Sequence, residues 1–252
     1  MTHRKDIPMN VFITSSPYLD GADRAILNPE NQFLTRLREA LPEFPRALFV
    51  AADPERHDLT CSFGMDTAVA FCQAGIPFSA FRVLDGTNAD DAAALVADSD
   101  LIVLSGGHVP TQNAFFQEIG LREILEDFDG TVMGISAGSM NLADTVYVQP
   151  EEDGEGVDPD FERFAPGLGL TDINILPHYQ KVKDNILDGL RLFEDITYAD
   201  SMDNTFFALP DGSYFYQNDD ALLLCGEAYL LRDGELQMLT RSGDCLNMAD
   251  FD

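Results

Sequence analysis

Five short apolar runs, separated by segments of helical periodicity, constrain this fold more than any other feature of the chain. The runs cover residues 10–14, 46–51, 78–84, 100–104 and 132–135. Helices are predicted between them over residues 28–41, 59–74, 88–97 and 111–127. Strands that are apolar along nearly their whole length are typical of parallel sheets covered on both faces. The pattern therefore predicts an α/β protein with a mostly parallel central sheet and right-handed crossovers.

The pattern changes in the C-terminal part of the chain. Short strands are predicted there over residues 173–176, 206–209, 214–217, 221–225, 229–232 and 236–239. Turn sequences separate several of them, including Pro210-Asp211-Gly212 and Asp233-Gly234. This spacing is typical of hairpins, so we expect an antiparallel hairpin annex to the parallel sheet. Since no linker or internal repeat divides the chain, we expect one domain over residues 1–252.

The chain is strongly acidic. Its 44 Asp and Glu residues against 15 Lys and Arg residues give a formal net charge of −29, while the hydrophobic content of 45% argues for a folded core. Nucleic-acid binding needs clustered basic residues, and anionic membranes repel a chain of this charge. We therefore expect neither nucleic acid nor a membrane among the partners.

Cysteine usage and the N-terminal residues bear on the compartment. The four cysteines show no metal-ligand spacing, and a chain of this size does not need disulfide bonds. Residues 1–10 are polar and charged, and no apolar run reaches the roughly 18 residues of a membrane span. These features predict a soluble, cytoplasmic protein with reduced cysteines.

A serine follows the fifth apolar run in a Gly-x-Ser-x-Gly sequence. Gly134 and Gly138 flank Ser136, and glycines at these positions allow the sharp strand-to-helix turn that exposes a nucleophilic hydroxyl. A helix is predicted over residues 139–145, so its dipole and the amide of Ala137 would face that hydroxyl. The pattern predicts a nucleophile elbow at Ser136, with an ordinary strand-to-helix turn as the alternative.

A serine hydroxyl needs a neighbouring base to become a useful nucleophile. His178 directly follows a predicted strand, at the edge where open α/β sheets carry their sites, whereas His3 lies near the N-terminus and His57 begins a helix. We therefore expect His178 to be the base. A purely structural histidine at the sheet edge is the alternative.

A second strand-to-helix junction, Ser105-Gly106-Gly107-His108, follows the fourth apolar run. Two glycines let backbone amides approach a developing oxyanion, and Ala137 would supply a further donor. A Gly-Gly turn can equally cradle a phosphate. Because this junction is expected beside the elbow on a neighbouring strand, the sequence predicts an oxyanion hole formed by Gly106, Gly107 and Ala137.

Residues 151–162 contain a dense group of acidic side chains with two glycines and a proline, which predicts a loop. The spacing of the acids does not match that of an EF-hand. We therefore expect no bound metal ion at this loop. Whether it closes over a site as a lid is left open by the sequence.

The junction at 105–108, the elbow at 134–138 and the segment 167–179, which ends in Pro177-His178-Tyr179, together resemble the dipeptidase E family. These are the S51 serine peptidases, which include cyanophycinases and are similar in fold to class I glutamine amidotransferase domains. The resemblance covers roughly residues 10–240 and implies a three-layer α/β/α sandwich. It also implies Ser136 as nucleophile, His178 as base and an acid at Glu151. Glu152 is the close contender, and the sequence does not decide between the two.

The resemblance implies a serine exopeptidase that hydrolyses dipeptides or short peptides through an acyl-enzyme, with no metal or organic cofactor. The chain has His108 where the family usually has Asn. Lys181 and Lys183 are the bases nearest to His178, and Arg163 precedes it. Preference for an N-terminal aspartate therefore stays open, as does assembly into a homo-oligomer.

Two other functions remain as alternatives, namely an esterase-like serine hydrolase and a catalytically impaired binding protein of the same fold. A glutamine amidotransferase would need a cysteine where Ser136 stands.

Overall fold

The computed structural model describes residues 9–22 and 24–250, so His3 lies outside the described residues. The strands are β1 (Asn10–Thr14), β2 (Arg46–Val50), β3 (Ala80–Leu84), β4 (Leu101–Leu104), β5 (Thr131–Ile135), β6 (Thr145–Tyr147), β7 (Phe164–Pro166), β8 (Ile175–Leu176), β9 (Ile186–Leu187), β10 (Leu190–Arg191), β11 (Phe206–Ala208), β12 (Tyr214–Gln217), β13 (Leu222–Cys225), β14 (Ala228–Arg232), β15 (Glu235–Thr240) and β16 (Cys245–Asn247).

The helices are α1 (Phe33–Ala40), α2 (His57–Gln73), α3 (Ala92–Ala97), α4 (Val109–Glu118), α5 (Leu121–Leu125), α6 (Ala137–Met140), α7 (Tyr179–Val182) and α8 (Tyr198–Asp200). Short 3₁₀ turns cover Glu30–Gln32, Ala89–Asp91 and Met248–Asp250, and a π-helical turn covers Leu192–Thr197.

The main sheet has eight strands in the order β16-β13-β12-β1-β5-β4-β2-β3. The strands from β1 to β3 in this order run parallel, and β12, β13 and β16 extend the sheet in antiparallel fashion. The predicted mostly parallel sheet with antiparallel C-terminal strands is confirmed. All four residues of β4 are buried, as expected for a strand covered on both faces.

Two separate apolar clusters cover the two faces of this sheet. On one face, Leu48 and Ile102 pack with side chains of α3, α4 and α5. On the other face, Phe49 and Val103 pack with side chains of α1 and α2. Burial of each such Leu, Ile, Val or Phe side chain contributes roughly 1.5–3 kcal/mol. The layers are therefore helix, sheet and helix, which confirms the predicted sandwich.

A second sheet of four strands has the order β15-β14-β11-β8. The sequence predicts a hairpin over residues 206–217, and that pairing is wrong. β11 pairs in parallel with β8 in the second sheet, while β12 pairs with β1 in the main sheet. The turn Pro210-Asp211-Gly212 therefore carries the chain from one sheet to the other. Two short ladders, β6 with β7 and β9 with β10, complete the pairing.

Some predicted helices are shorter than expected. The helix predicted over 111–127 is divided between α4 and α5, because Gly120 adopts a left-handed conformation with φ of 63°. The helix predicted over 28–41 begins as a 3₁₀ turn, with positive φ at Asn31 and Gln32. The elbow helix ends at Met140, and the chain then enters β6 at Thr145. Within the described residues, no helix has the length and apolar character needed to cross a bilayer.

Candidate active site

Ser136 lies in the turn between β5 and α6, with φ of 51° and ψ of −113°. This backbone conformation is rare for a residue with a side chain and is typical of a nucleophile elbow. The amide of Ser136 donates to the carbonyl oxygens of Thr14 and Ser15, both at 3.1 Å, so β1 holds the turn in place. The backbone at Ser136 therefore makes a sharp strand-to-helix turn at the predicted position.

The two glycines of the motif are required by close packing. A Cβ atom at Gly134 would lie 2.5 Å from the Cα of Ser139, and one at Gly138 would lie 2.3 Å from the carbonyl oxygen of Leu104. Real Cβ atoms do not approach backbone atoms so closely. The sequence pattern therefore reflects a steric requirement at both positions.

His178 follows β8 and faces the serine. Its Nε2 lies 2.9 Å from the Oγ of Ser136, within hydrogen-bond distance. The residue has a left-handed backbone with φ of 56°, and its amide donates to the Oγ of Ser15 at 2.8 Å. The structure thus brings together the serine and the histidine that the sequence singles out.

The carboxylate on the other side of the imidazole belongs to Asp211, not to Glu151 or Glu152. Its Oδ1 lies 2.6 Å from the Nδ1 of His178 and accepts a hydrogen bond from the Oγ of Ser15 at 3.0 Å. Only 5% of the Asp211 side chain is exposed. The expectation of Glu151 as the partner of His178 is therefore corrected.

Asp211 is held in its charged form. Burial alone would raise the pKa of its carboxyl, but hydrogen bonds from His178 and Lys181 lower this pKa well below its ordinary value. Lys181 donates to Oδ2 at 2.7 Å, and its ammonium also pairs with Asp20 at 2.9 Å. A charged, buried carboxylate at Nδ1 fixes the imidazole with its other nitrogen toward Ser136.

A cavity of about 250 Å³ opens beside Ser136. Gly107 and Ala137 line it, whereas Gly106 lines a neighbouring cavity with Ser105 and Ile135. Of the three predicted oxyanion-hole residues, two therefore face the space next to the nucleophile. A Cβ atom at Gly107 would lie 2.5 Å from the Cβ of Ala52, so only glycine fits that turn.

Glu151 lines the same cavity without reaching the Nδ1 of His178. Desolvation raises the pKa of the Glu151 carboxyl; His108 opposes this effect, and the neighbouring Glu155 and Glu152 add to it. The residue as a whole is exposed, so it lies at the rim of the cavity with its carboxyl partly enclosed.

His108 follows the Gly-Gly turn and points toward the acidic loop. Its Nδ1 lies 2.8 Å from the Oγ1 of Thr111, and its Nε2 lies 3.4 Å from Oε1 of Glu155. His108, Glu152 and Glu155 each place one potential ligand atom within 4.8 Å of the others, so these three could hold a metal ion. Both oxygens of Glu155 already have partners, because Oε2 accepts from the amides of Glu151 and Glu152.

A serine at a strand-to-helix turn, a histidine on its hydroxyl and a buried carboxylate on that histidine form the arrangement of a serine hydrolase. The chain belongs to peptidase family S51, whose sequence model matches residues 59–225, and it is a serine peptidase. No curated protein sequence is significantly similar to it.

Two solved structures have a similar fold. A peptidase from an acI-B1 Actinobacterium is 15% identical, with a TM-score of 0.64 over 95% of this chain and 96% of that chain. The peptidase E candidate of Listeria monocytogenes EGD-e is also 15% identical, with a TM-score of 0.58 over 92% of this chain and 100% of that chain.

Proposed function

We propose that the protein is a serine exopeptidase of dipeptidase E type, which cleaves dipeptides or short peptides through an acyl-enzyme. The observation that carries this proposal is the continuous chain of hydrogen-bond contacts from Ser136 through His178 to Asp211 beside an open cavity. In this proposal the acid of the triad is Asp211, and the reaction needs no metal or organic cofactor.

In the first half of the reaction, the Oγ of Ser136 attacks the scissile carbonyl carbon while Nε2 of His178 takes the hydroxyl proton. Asp211 stabilises the resulting imidazolium through its contact with Nδ1. The imidazolium then protonates the leaving amine, and the C–N bond breaks to leave an ester on Ser136. Water, deprotonated by the same imidazole, hydrolyses that ester and releases the acyl product.

The negative oxygen that forms on the carbonyl carbon needs donors beside Ser136. Ala137 is the first residue of α6, and helices leave their first amides without internal acceptors. Gly107 lines the same cavity from the turn after β4. We propose that these two amides bind the oxyanion, and each such donor is worth roughly 3–4 kcal/mol in comparable sites.

The size of the cavity supports a short substrate. At about 250 Å³ it falls below the roughly 300–1,000 Å³ that is common for ligand sites. Segments around Gln149 and Asn185 form other parts of its lining. A cavity of these dimensions suits the end of a peptide better than a long extended chain.

Labelling with a fluorophosphonate, followed by intact-mass analysis, tests the proposal. We expect a single adduct on the wild-type protein and none on Ser136→Ala, whereas Ser99→Ala, which removes a hydroxyl near the end of α3, should label normally. Hydrolysis of a dipeptide panel and of simple esters then separates a peptidase from an esterase. Absence of any adduct would favour the binding-protein alternative, and ester hydrolysis without dipeptide hydrolysis would favour the esterase.

A further inference from the structure

Glu151 lies in the wall of the cavity beside Ser136 and has no role in the proposed triad. Among the residues that line this cavity it is the one carboxylate, and no Lys or Arg in the described part of the chain joins it there. The remaining wall is largely apolar, formed mainly by Val109, Met140, Val182, Ile186, Leu187 and Leu192. The cavity therefore combines an apolar surface with a single negative group.

The nearby Lys and Arg side chains do not pair with Glu151, and His108 and His178 are the basic groups that act on its charge. Lys181 pairs with Asp211 and Asp20, and Arg163 lies near Asp200 and over the ring of Phe161. Lys183 is exposed and does not line the cavity. A negatively charged group placed in this cavity would meet the like charge of Glu151, with no Lys or Arg among the described lining residues to offset it, which disfavours its binding.

The turn that carries Glu151 is fixed in position. Oε2 of Glu155 accepts hydrogen bonds from the amides of Glu151 and Glu152 at 2.8 and 2.9 Å. The amides of Gly154 and Gly156 in turn donate to the carboxylate of Asp188, next to the Asn185–Leu187 wall of the cavity. These bonds tie the loop to the Asn185–Leu187 wall, so the backbone that carries Glu151 is held beside the cavity.

We propose that Glu151 binds the protonated α-amino group of a peptide whose N-terminal residue is apolar, so that the enzyme favours such peptides and rejects N-terminal aspartate. This inference rests on the proposed function, because the α-amino group is bonded to the carbon beside the carbonyl that Ser136 would attack. A group that binds it must share the cavity with Ser136, as Glu151 does. The desolvation and like charges that raise the pKa of Glu151 would be offset by a bound ammonium.

Three p-nitroanilides, of leucine, N-acetylleucine and aspartate, test this inference at about pH 6.5, where most α-amino groups are protonated. We expect kcat/KM of the wild-type enzyme for the leucine compound to exceed the other two by about tenfold or more, the factor that corresponds to 1.4 kcal/mol of binding. In Glu151→Gln the advantage over the acetylated compound should fall to about twofold, mainly through KM.

Glu162→Gln is the matched control, because Glu162 is an exposed acid of the same loop that does not line the cavity. Its preference among the three compounds should equal that of the wild type. Equal hydrolysis of the free and acetylated leucine compounds by the wild type, or a preference for aspartate, would overturn the inference.

Calorimetric binding of leucinamide and N-acetylleucinamide to the Ser136→Ala variant separates this inference from the proposed function, because it needs no hydrolysis. We expect leucinamide to bind more tightly and Ser136→Ala/Glu151→Gln to lose that difference. If Ser136→Ala binds leucinamide in this way but the wild-type protein hydrolyses none of the compounds, the inference stands and the peptidase proposal is refuted. Loss of leucinamide binding after treatment with EDTA would overturn the inference, since a metal ion rather than the Glu151 carboxylate would then recruit the ligand.

Discussion

Replacement of Asp211 by Asn tests the proposed triad most directly. Oδ1 of Asp211 meets Nδ1 of His178, and Oδ2 accepts from the ammonium of Lys181. The carbonyl oxygen of an Asn side chain would turn toward Lys181, because the amide group cannot accept from an ammonium. The amide NH₂ would then face Nδ1 and force the proton of the imidazole onto Nε2. In that tautomer, Nε2 cannot take the proton of Ser136.

We expect Asp211→Asn to lower kcat by roughly 10⁴-fold, the loss known for the same change in a comparable triad, which corresponds to about 5 kcal/mol of transition-state stabilisation. Steady-state hydrolysis of the best dipeptide and the rate of fluorophosphonate labelling both report this loss. Asp20→Asn is the control: it removes the exposed partner of Lys181, worth about 0–1 kcal/mol, and should change kcat only slightly. Retention of a tenth or more of the activity by Asp211→Asn, together with a far larger fall in kcat for Glu151→Gln, would refute the assignment of Asp211.

Two further outcomes follow from the packing and charge of the site. Gly134→Ala would place a methyl group 2.5 Å from the Cα of Ser139, so we expect urea denaturation to show a loss of about 2–4 kcal/mol in the free energy of unfolding. Gly106→Ala is the control and should cost far less, because its Cβ would meet its nearest atoms at 3.4 Å. Equal losses for the two variants would contradict this steric account. Because the pKa of Asp211 is lowered on folding, its stabilising contribution is complete above the unfolded value of about 3.9 and is lost as pH falls toward the depressed folded value. The stability difference between wild type and Asp211→Asn should therefore shrink below about pH 4, and a difference that grows there would show that the sign is wrong.

Local patterns in the sequence were sufficient to predict the central sheet and the strand-to-helix turn at Ser136. A strand such as β4 is apolar along its whole length, and the sterics of Gly134 and Gly138 act within a few residues of Ser136. The helix over 111–127 was predicted too long, because periodicity does not show that Gly120 adopts a left-handed backbone. Interactions that are local in sequence were thus the predictable part of the fold.

Asp211, the acid of the proposed triad, was missed because its position depends on a long-range strand pairing. Ala208 of β11 pairs in parallel with Leu176 of β8, so Asp211 and His178 leave the same edge of the second sheet. The Pro-Asp-Gly sequence around Asp211 indicates a turn, and a turn between two strands favours a hairpin in the absence of other information. The useful indication would have been the parallel pairing itself, since an acid just beyond the partner strand must lie near the histidine.

The division of the proposed triad between two sheets has a consequence for how activity would be lost. His178 and Asp211 follow strands joined by main-chain hydrogen bonds, whereas Ser136 follows a strand of the other sheet. The His–Asp contact is therefore built within the second sheet, whereas the Ser–His contact crosses between the sheets, which are joined near the site by main-chain bonds from Ser15 to Ser213 and from Gly212 to Ser16. Proteins open in cooperative units that often coincide with supersecondary motifs, and a sheet is one such unit. If heat or denaturant opens the contact between the two sheets, we expect His178 to part from Ser136 and activity to be lost while most of the secondary structure is still intact.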